Sequence, residues 1–153
     1  MIFGIKKHKA NLYNTLLYLS RNLFFYNKTK LKDSFETRIY LIFLHFSLIL
    51  IIFKNKKTKF PQNDYDDLFY CIENNLRELG FGDVAVNKKM KDLNKIFYDI
   101  LIKVNKSENK FEINKKIILK YFPEFNNKNL DKYELFNQYF TNFYNFCFEI
   151  DPQ

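Results

Sequence analysis

Apolar side chains recur along the chain at helical spacing, and this pattern predicts a series of α-helices. Within 10–26, four leucines and then Tyr26 stand at i, i+4, i+7, i+11 and i+14, which places them on one helical face. The stretch from Ile39 to Phe53, IYLIFLHFSLILIIF, is apolar on every side and is interrupted only by His45 and Ser47. A helix without a polar face belongs either in the centre of a protein or in a membrane.

The length and the flanks of the 39–53 stretch favour the centre of a soluble domain. Fifteen helical residues rise about 22 Å, whereas the hydrocarbon core of a bilayer is about 30 Å thick. Arg38 precedes the stretch and four lysines follow it within 54–59. His45 in its middle would be costly if it faced lipid. We therefore predict that 39–53 is a buried central helix, sheathed by the helices predicted at 10–26, 63–79 and 88–104.

Capping residues delimit the helices on either side of the central one. Asp33 and Glu36 form a capping box that predicts the start of the central helix, with Asp33 at the N-cap. Asn63 or Asp64 begins the next helix, and Gly80 stands just past its end, where a left-handed conformation costs glycine nothing.

Three further helices follow in the second half of the chain. Asn87 is the predicted cap of a helix that extends to 104, and a short helix lies within 111–122, ahead of Pro123. A last, aromatic-rich helix begins near Leu130 or Asp131. The fold class is therefore all-α, a compact bundle of about six helices around 39–53.

Composition agrees with this class and indicates a single domain. Three glycines and three prolines are too few for the many turns of a β-sandwich, and 19 Phe with 11 Tyr are enough for a core. We expect a basic, flexible N-terminus at 1–9, a helical core at 10–105, and C-terminal helices at 106–153 that pack on the same domain.

Positive charge is concentrated in the first part of the chain. Residues 1–60 hold twelve Lys and Arg against two Asp and Glu, a net charge of +10, whereas 61–153 have a net charge of −2. This asymmetry indicates an anionic partner such as a ribosome or lipid headgroups, or simply solvated lysines. The candidate ribosome or anionic-membrane face consists of the basic residues before Asp33: Lys6, Lys7, Lys9, Arg21, Lys28, Lys30 and Lys32.

Candidate catalytic chemistry is sparse. The two cysteines lack Cys-x-x-Cys spacing, and neither of the two histidines has a nucleophile or a carboxylate at a spacing typical of a catalytic site. We therefore expect that the protein has no metal site and no cofactor and is not an enzyme. His45 on an apolar helix is more typical of a hydrogen-bonded core histidine than of a ligand. The remaining alternative is a haem site at His45, with His8 or Met90 as the weak candidates for a second axial ligand.

Five short motifs occur along the chain in a fixed order that is typical of one protein family. They are Arg21…Phe25-Tyr26, Arg38…Leu44-His45, LRELGFGD at 76–83, VNKKM at 86–90, and Phe97-Tyr98. In order and spacing they resemble the ubiquinol–cytochrome c chaperone family over roughly residues 12–104. The family often has a basic residue soon after the Phe-Tyr pair, where this chain has Asp99.

The resemblance implies a non-enzymatic assembly chaperone for the cytochrome bc complex (complex III). Its client would be newly made cytochrome b, with a ribosome near the tunnel exit and a small subunit as further partners, and no specific DNA. It implies a cytoplasmic location peripheral to the inner membrane in a bacterium, or the matrix side in a mitochondrion. The candidate client or partner surface is Gly80, Gly82, Asp83, Lys88 and Lys89; Arg38, His45, Phe97 and Tyr98 are motif residues with an expected structural role. The alternative is a basic helical module that binds a ribosome or RNA and has no dedicated client.

Overall fold

Six α-helices and no strand make up the described part of the chain, which in this computed structural model is residues 11–126 and 130–150. The all-α prediction is confirmed, and the basic residues of 1–9 lie outside the described residues. The helices are α1 (Asn11–Ser20), α2 (Phe35–Asn55), α3 (Gln62–Glu78), α4 (Asp83–Lys103), α5 (Lys115–Tyr121) and α6 (Leu130–Glu149). A π-helical turn (Phe24–Lys28) precedes α2, and a 3-10 turn (Pro123–Asn126) precedes α6.

α2 is the central helix of the bundle, as its apolar sequence predicts. Every residue from Leu41 to Leu48 is buried, and α1, α4 and α6 all pack against this helix. α3 lies mainly against α1 and α4 and reaches α2 through ring contacts such as that of Phe43 with Phe69. α2 is long and apolar enough to cross a membrane, but 61% of its apolar window is buried inside the bundle. The helices that surround α2 thus include α6, which the sequence pattern did not predict to pack against α2.

α2, α4 and α6 run in the same direction. Phe43 and Phe46 of α2 both contact Phe97 near the middle of α4, and further along α2 Lys54 shares a cleft with Ile102 of α4. On the other side, His45 meets Tyr139 of α6, and further along Asn55 Nδ2 donates to the Tyr144 hydroxyl. The C-terminal ends of these three helices therefore lie at one end of the bundle. The other end holds the starts of α2 and α4 and the turn that joins α3 to α4.

The predicted helix at 10–26 is wrong in its second half, because side chains take the hydrogen bonds that would continue it. The Phe24 N–H donates to Asn22 Oδ1 at 3.0 Å, and the Ser20 carbonyl accepts from the Tyr26 hydroxyl at 2.8 Å. Asn side chains compete with helical backbone bonds in this way. The chain instead forms the π-helical turn, which buries Phe25 against Phe140 at a ring distance of 5.8 Å.

Three predicted helix starts are also displaced. α3 begins at Gln62 with Pro61 as its cap, ahead of the predicted Asn63 or Asp64.

The caps of α2 and α4 differ as well. Ser34, not Asp33, caps α2, since its hydroxyl accepts the Thr37 N–H at 3.2 Å, while Asp33 pairs with Arg38 at 2.8 Å. α4 begins at Asp83 with Gly82 as its cap, one turn before the predicted Asn87. An aspartate in the first turn is favourable there because it faces the positive end of the helix dipole.

Asp99 joins α5 to α4. Its carboxylate lies 2.7 Å from Lys120 Nζ and 2.8 Å from Lys103 Nζ, and it accepts a hydrogen bond from the Tyr121 hydroxyl. These three donors, led by Lys103, hold the pKa of the Asp99 carboxyl well below its usual range. The contact attaches part of the 106–153 segment to the core, while the domain boundaries at 9/10 and 105/106 stay predictions.

Candidate functional site

The turn between α3 and α4 carries the most specific of the sequence motifs. Gly80 has φ +99° and follows the C-cap Leu79, as its spacing predicts. The Gly80 N–H donates to the Arg77 carbonyl at 3.0 Å and the Phe81 N–H donates to the Leu76 carbonyl at 3.3 Å, the two bonds of a Schellman motif. This geometry turns the chain back toward the end of α3, so that the Phe81 backbone lies beside that of Leu76.

Replacing Gly80 by alanine is expected to lower the free energy of unfolding by about 1–2 kcal/mol, because a side chain disfavours the left-handed conformation. A Cβ at Gly80 would meet no atom within 4 Å, so the loss comes from the backbone alone. Gly82 is the matched control, since its φ of −76° suits any residue, and Gly82→Ser supplies a preferred N-cap. Denaturant unfolding compares the two variants, and equal losses would contradict this account.

Arg77 spans the same turn. Its guanidinium lies 2.7 Å from Glu73 of α3 and 3.4 Å from Asp83, the first residue of α4. Glu73 and Asp83 together raise the pKa of Arg77. Arg77 and Asp83 of the LRELGFGD motif therefore meet across the turn in an exposed ion pair between α3 and α4.

A groove of about 530 Å³ opens beside this turn, between the start of α2, the end of α3 and the first half of α4. Its walls are mostly apolar, and Leu79 and Phe81 expose 56% and 38% of their surface. Lys89 Nζ lies 4.7 Å above the Phe81 ring, a cation–π contact at the rim. The residues that line this α3–α4 groove are Phe35, Glu36, Tyr40, Leu76, Leu79, Phe81, Lys89, Asp92, Leu93 and Ile96.

The structure brings part of the predicted client surface to the α3–α4 groove. Gly80, Gly82 and Asp83 form the adjoining turn, and Lys89 lines the groove. Lys88 is exposed on α4 but is not among the lining residues. Their role in binding stays a prediction.

Sequence reasoning missed the apolar residues of the groove. Leu79 and Phe81 are hydrophobic positions of the motif itself, and apolar residues on both sides of a predicted glycine turn were a usable signal. Phe35 and Tyr40 come from the start of α2, about forty residues earlier in the chain, and no sequence signal connects them to this turn. The packing of α2 against α4 is what adds them to the groove.

His45 lies away from the groove, fully buried between α2 and α6. Its Nδ1 is 2.7 Å from the Leu41 carbonyl oxygen, which can only accept, so Nδ1 carries the proton. Its Nε2, 2.9 Å from the Tyr139 hydroxyl, is then the acceptor of that hydroxyl's hydrogen bond. Burial lowers the pKa of His45 to about 4, and the ring is therefore neutral at physiological pH. Since both ring nitrogens are engaged, neither offers a free lone pair to a haem iron.

The other motif residues occupy distinct environments. Phe97 is fully buried at the junction of α2, α3 and α4, and Tyr98 beside it is half-exposed with its hydroxyl 3.2 Å from that of Tyr65. Arg38 reaches back to Asp33 ahead of α2. The contacts of Phe97 and Tyr98 link α4 to α2 and α3, whereas Arg38 pairs with a residue just ahead of its own helix.

The predicted basic face is described only in part, since Lys6, Lys7 and Lys9 lie outside the described residues. Arg21 follows α1, Lys28 ends the π-helical turn, and Lys30 and Lys32 lie in the connector to α2. All four are exposed. Their contact with an anionic partner stays a prediction.

The described residues contain no group of three His, Cys, Asp or Glu side chains placed to hold a metal ion. The fold and the groove define a small all-α domain with an exposed apolar groove, a surface of the kind that can hold an amphipathic helix. The family model for ubiquinol-cytochrome C chaperones matches residues 27–116, more than half of the 153 residues, and the chain belongs to this family. No curated protein and no solved structure matches the chain.

The family match confirms the resemblance drawn from the motifs and changes its extent. It begins at 27, so that α1 and the start of the π-helical turn lie outside it, and it continues past 105 to the first residues of α5. The residues lining the α3–α4 groove all fall inside the match. Membership indicates a chaperone role in the assembly of complex III.

Proposed function

We propose that this protein is a non-enzymatic assembly chaperone that binds newly made cytochrome b and promotes assembly of the ubiquinol–cytochrome c reductase complex. The observation that carries the proposal is that the most specific family motif, LRELGFGD, forms one wall of an exposed apolar groove. The family match supports the class of function, and the groove supplies a place for a client.

The α3–α4 groove suits an apolar segment of a membrane protein before it is inserted or assembled. Its floor is made by Leu76, Leu93 and Ile96, and its rim carries the charges of Glu36, Asp92 and Lys89. An apolar centre with a polar rim is the usual composition of a polypeptide-binding surface. Exposed apolar side chains such as Leu79 lose contact with water when a client helix covers them, and this burial drives binding.

Location and partners follow from the same proposal. We place the protein on the cytoplasmic side of the inner membrane in a bacterium, or on the matrix side in a mitochondrion, because cytochrome b is embedded in that membrane. A ribosome near the tunnel exit and a small partner subunit complete the proposed set of partners. The four exposed basic residues Arg21, Lys28, Lys30 and Lys32 support an anionic partner such as the ribosome.

Deletion of the gene tests the proposal. We expect the assembled cytochrome bc complex to fall severalfold while cytochrome b message stays at its normal level. In the complemented strain, a photo-reactive amino acid at Leu79 should cross-link to cytochrome b, whereas the same probe at the exposed Tyr18 of α1 should not. Normal levels of complex after deletion would overturn the proposal, and ribosome association without any loss of complex would favour the ribosome-binding alternative.

A further inference from the structure

Exposed apolar side chains are concentrated at the end of the bundle where α6 finishes. Phe146 and Ile150 expose 65% and 49% of their surface, and Phe148 between them is also exposed. α6 brings them to the same end of the bundle as the end of α2, where Phe148 packs beside Tyr144 and Lys56. Helical spacing directs Phe146 and Phe148 to different sides of α6, so exposed apolar side chains flank its last turn, and such side chains at a surface mark a site of interaction.

A turn of lysines lies against this apolar end. Lys54, Lys56, Lys57 and Lys59 follow the apolar part of α2 within six residues. The Lys56 ammonium donates to the Ile150 carbonyl oxygen at 2.8 Å and lies 4.9 Å from the centre of the Phe148 ring. These two contacts place Lys56, and with it the turn, beside the Phe148 ring at the end of α6.

The backbone holds the lysine turn in a defined conformation. The Thr58 N–H donates to the Phe53 carbonyl at 2.9 Å and the Lys57 N–H donates to the Lys54 carbonyl at 3.0 Å, which is again a Schellman motif. Lys57 has φ +56°, so a lysine occupies the left-handed position that Gly80 fills after α3. The lysines are therefore presented from an ordered turn.

We propose that this end of the bundle, made of Lys54, Lys56, Lys57, Lys59, Phe146, Phe148 and Ile150, docks on an anionic lipid bilayer. The lysines complement phosphate headgroups, and the apolar side chains enter the boundary between headgroups and acyl chains. The composition favours lipid over RNA, because Ile150 cannot stack on bases but can enter a bilayer. Two acidic residues, Glu108 and Glu149, line the clefts at this end beside Lys54 and Phe148, and the four lysines outnumber them.

The lysine–aromatic end and the α3–α4 groove lie at opposite ends of α4. This helix has 21 residues and is about 30 Å long. Docking at one end therefore leaves the groove open to a client. The inference does not require the identity of that client, and its test is independent of complex III.

Vesicle sedimentation of the full chain tests the inference. Vesicles of phosphatidylcholine with phosphatidylglycerol are compared with vesicles of phosphatidylcholine alone, at low and at moderate salt. We expect binding to the anionic vesicles that weakens with salt, at least a tenfold loss for the double variant Lys54→Glu and Lys57→Glu, and a severalfold loss for Phe146→Ser with Ile150→Ser. All four substituted side chains are exposed. The contact of Ile150 with Lys56 uses the main-chain carbonyl of Ile150, which the substitution keeps. Circular dichroism checks that each variant is folded.

Matched changes elsewhere serve as controls. Lys91→Glu with Lys95→Glu on α4 removes the same charge, and Tyr18→Ser with Leu23→Ser removes exposed apolar side chains near α1. We expect both pairs to bind vesicles better than the variants of the lysine–aromatic end. Equal losses in the control pairs, or no binding to anionic vesicles, would overturn the inference. Loss with the lysine variants alone, together with equally strong binding to RNA, would also overturn it and would indicate a nucleic-acid surface.

Discussion

Placing an aspartate at Leu79 or at Phe81 is expected to abolish client capture and to reduce the assembled cytochrome bc complex to the level of the deletion strain. Both side chains line the α3–α4 groove and are partly exposed, so a charge there enters the binding surface without entering the core. Burying a carboxylate under an apolar client costs more than the roughly 1.4 kcal/mol that changes affinity tenfold, and the cost is larger at Leu79 than at Phe81, where Lys89 lies beside the new charge. Cross-linking yield to cytochrome b and the amount of assembled complex measure the effect.

The control for this experiment is Tyr18→Asp, which places the same charge on the exposed surface of α1. We expect this variant to assemble the complex normally. Cellular levels of each variant are measured alongside, because a variant that is degraded would lower the complex for a different reason. If stable, folded Leu79→Asp and Phe81→Asp variants support normal assembly, the groove is not the client site, although the chaperone function itself would stand.

The second large effect is a loss of stability on mild acidification, caused by His45. The pKa of this residue is about 4 in the folded protein and about 6.5 in an unfolded chain, so between these values the unfolded state binds a proton that the folded state does not. Stability is therefore independent of this group above about pH 6.5 and falls as the pH is lowered toward 4. From pH 7 to pH 5 the expected loss is about 2 kcal/mol. Denaturant unfolding at the two pH values measures it.

Two variants separate the histidine from other titrating groups. Tyr139→Phe alone leaves Nε2 of His45 buried without a donor and should cost about 1–3 kcal/mol at pH 7. His45→Phe combined with Tyr139→Phe removes both polar partners and keeps an aromatic ring at each position, and we expect it to restore part of that loss, limited by the larger size of the phenyl ring at position 45. The double variant should also lose the dependence on pH between 7 and 5. A wild-type protein that is equally stable at both pH values would contradict the assigned environment of His45.

The central helix shows how far local sequence reaches. The stretch 39–53 lacks a polar face and is too short to span a bilayer comfortably, and these two properties alone predict the buried α2. Gly80 is a similar case, since the end of an amphipathic stripe followed by glycine predicts the Schellman turn that the structure contains. Both predictions depend on residues that are neighbours in the chain.

The wrong predictions involve competition between hydrogen-bond partners that lie close in sequence. Asn22 and Tyr26 take bonds that a continued helix at 10–26 would have used, and the apolar spacing does not register that competition. Ser34 and Asp33 are both good caps, and the pairing of Asp33 with Arg38 leaves the cap to Ser34. In each case the spacing of apolar residues predicts that a helix is present, but it does not predict the residue at which the helix begins or ends.

The sequence by itself determined the all-α class, the buried central helix, the glycine turn and the family, because each depends on local spacing or on a contiguous motif. Only the tertiary structure decided that Phe35 and Tyr40 join Leu79 and Phe81 in one groove, and that Tyr139 donates to His45 across 94 residues of chain. It also decided that Lys56, after α2, meets the partly exposed Phe148 ring at the end of α6. These contacts arise because helices that are distant in the chain pack side by side. The periodicity of a helix predicts which of its faces is buried, but it does not predict which other helix packs against that face.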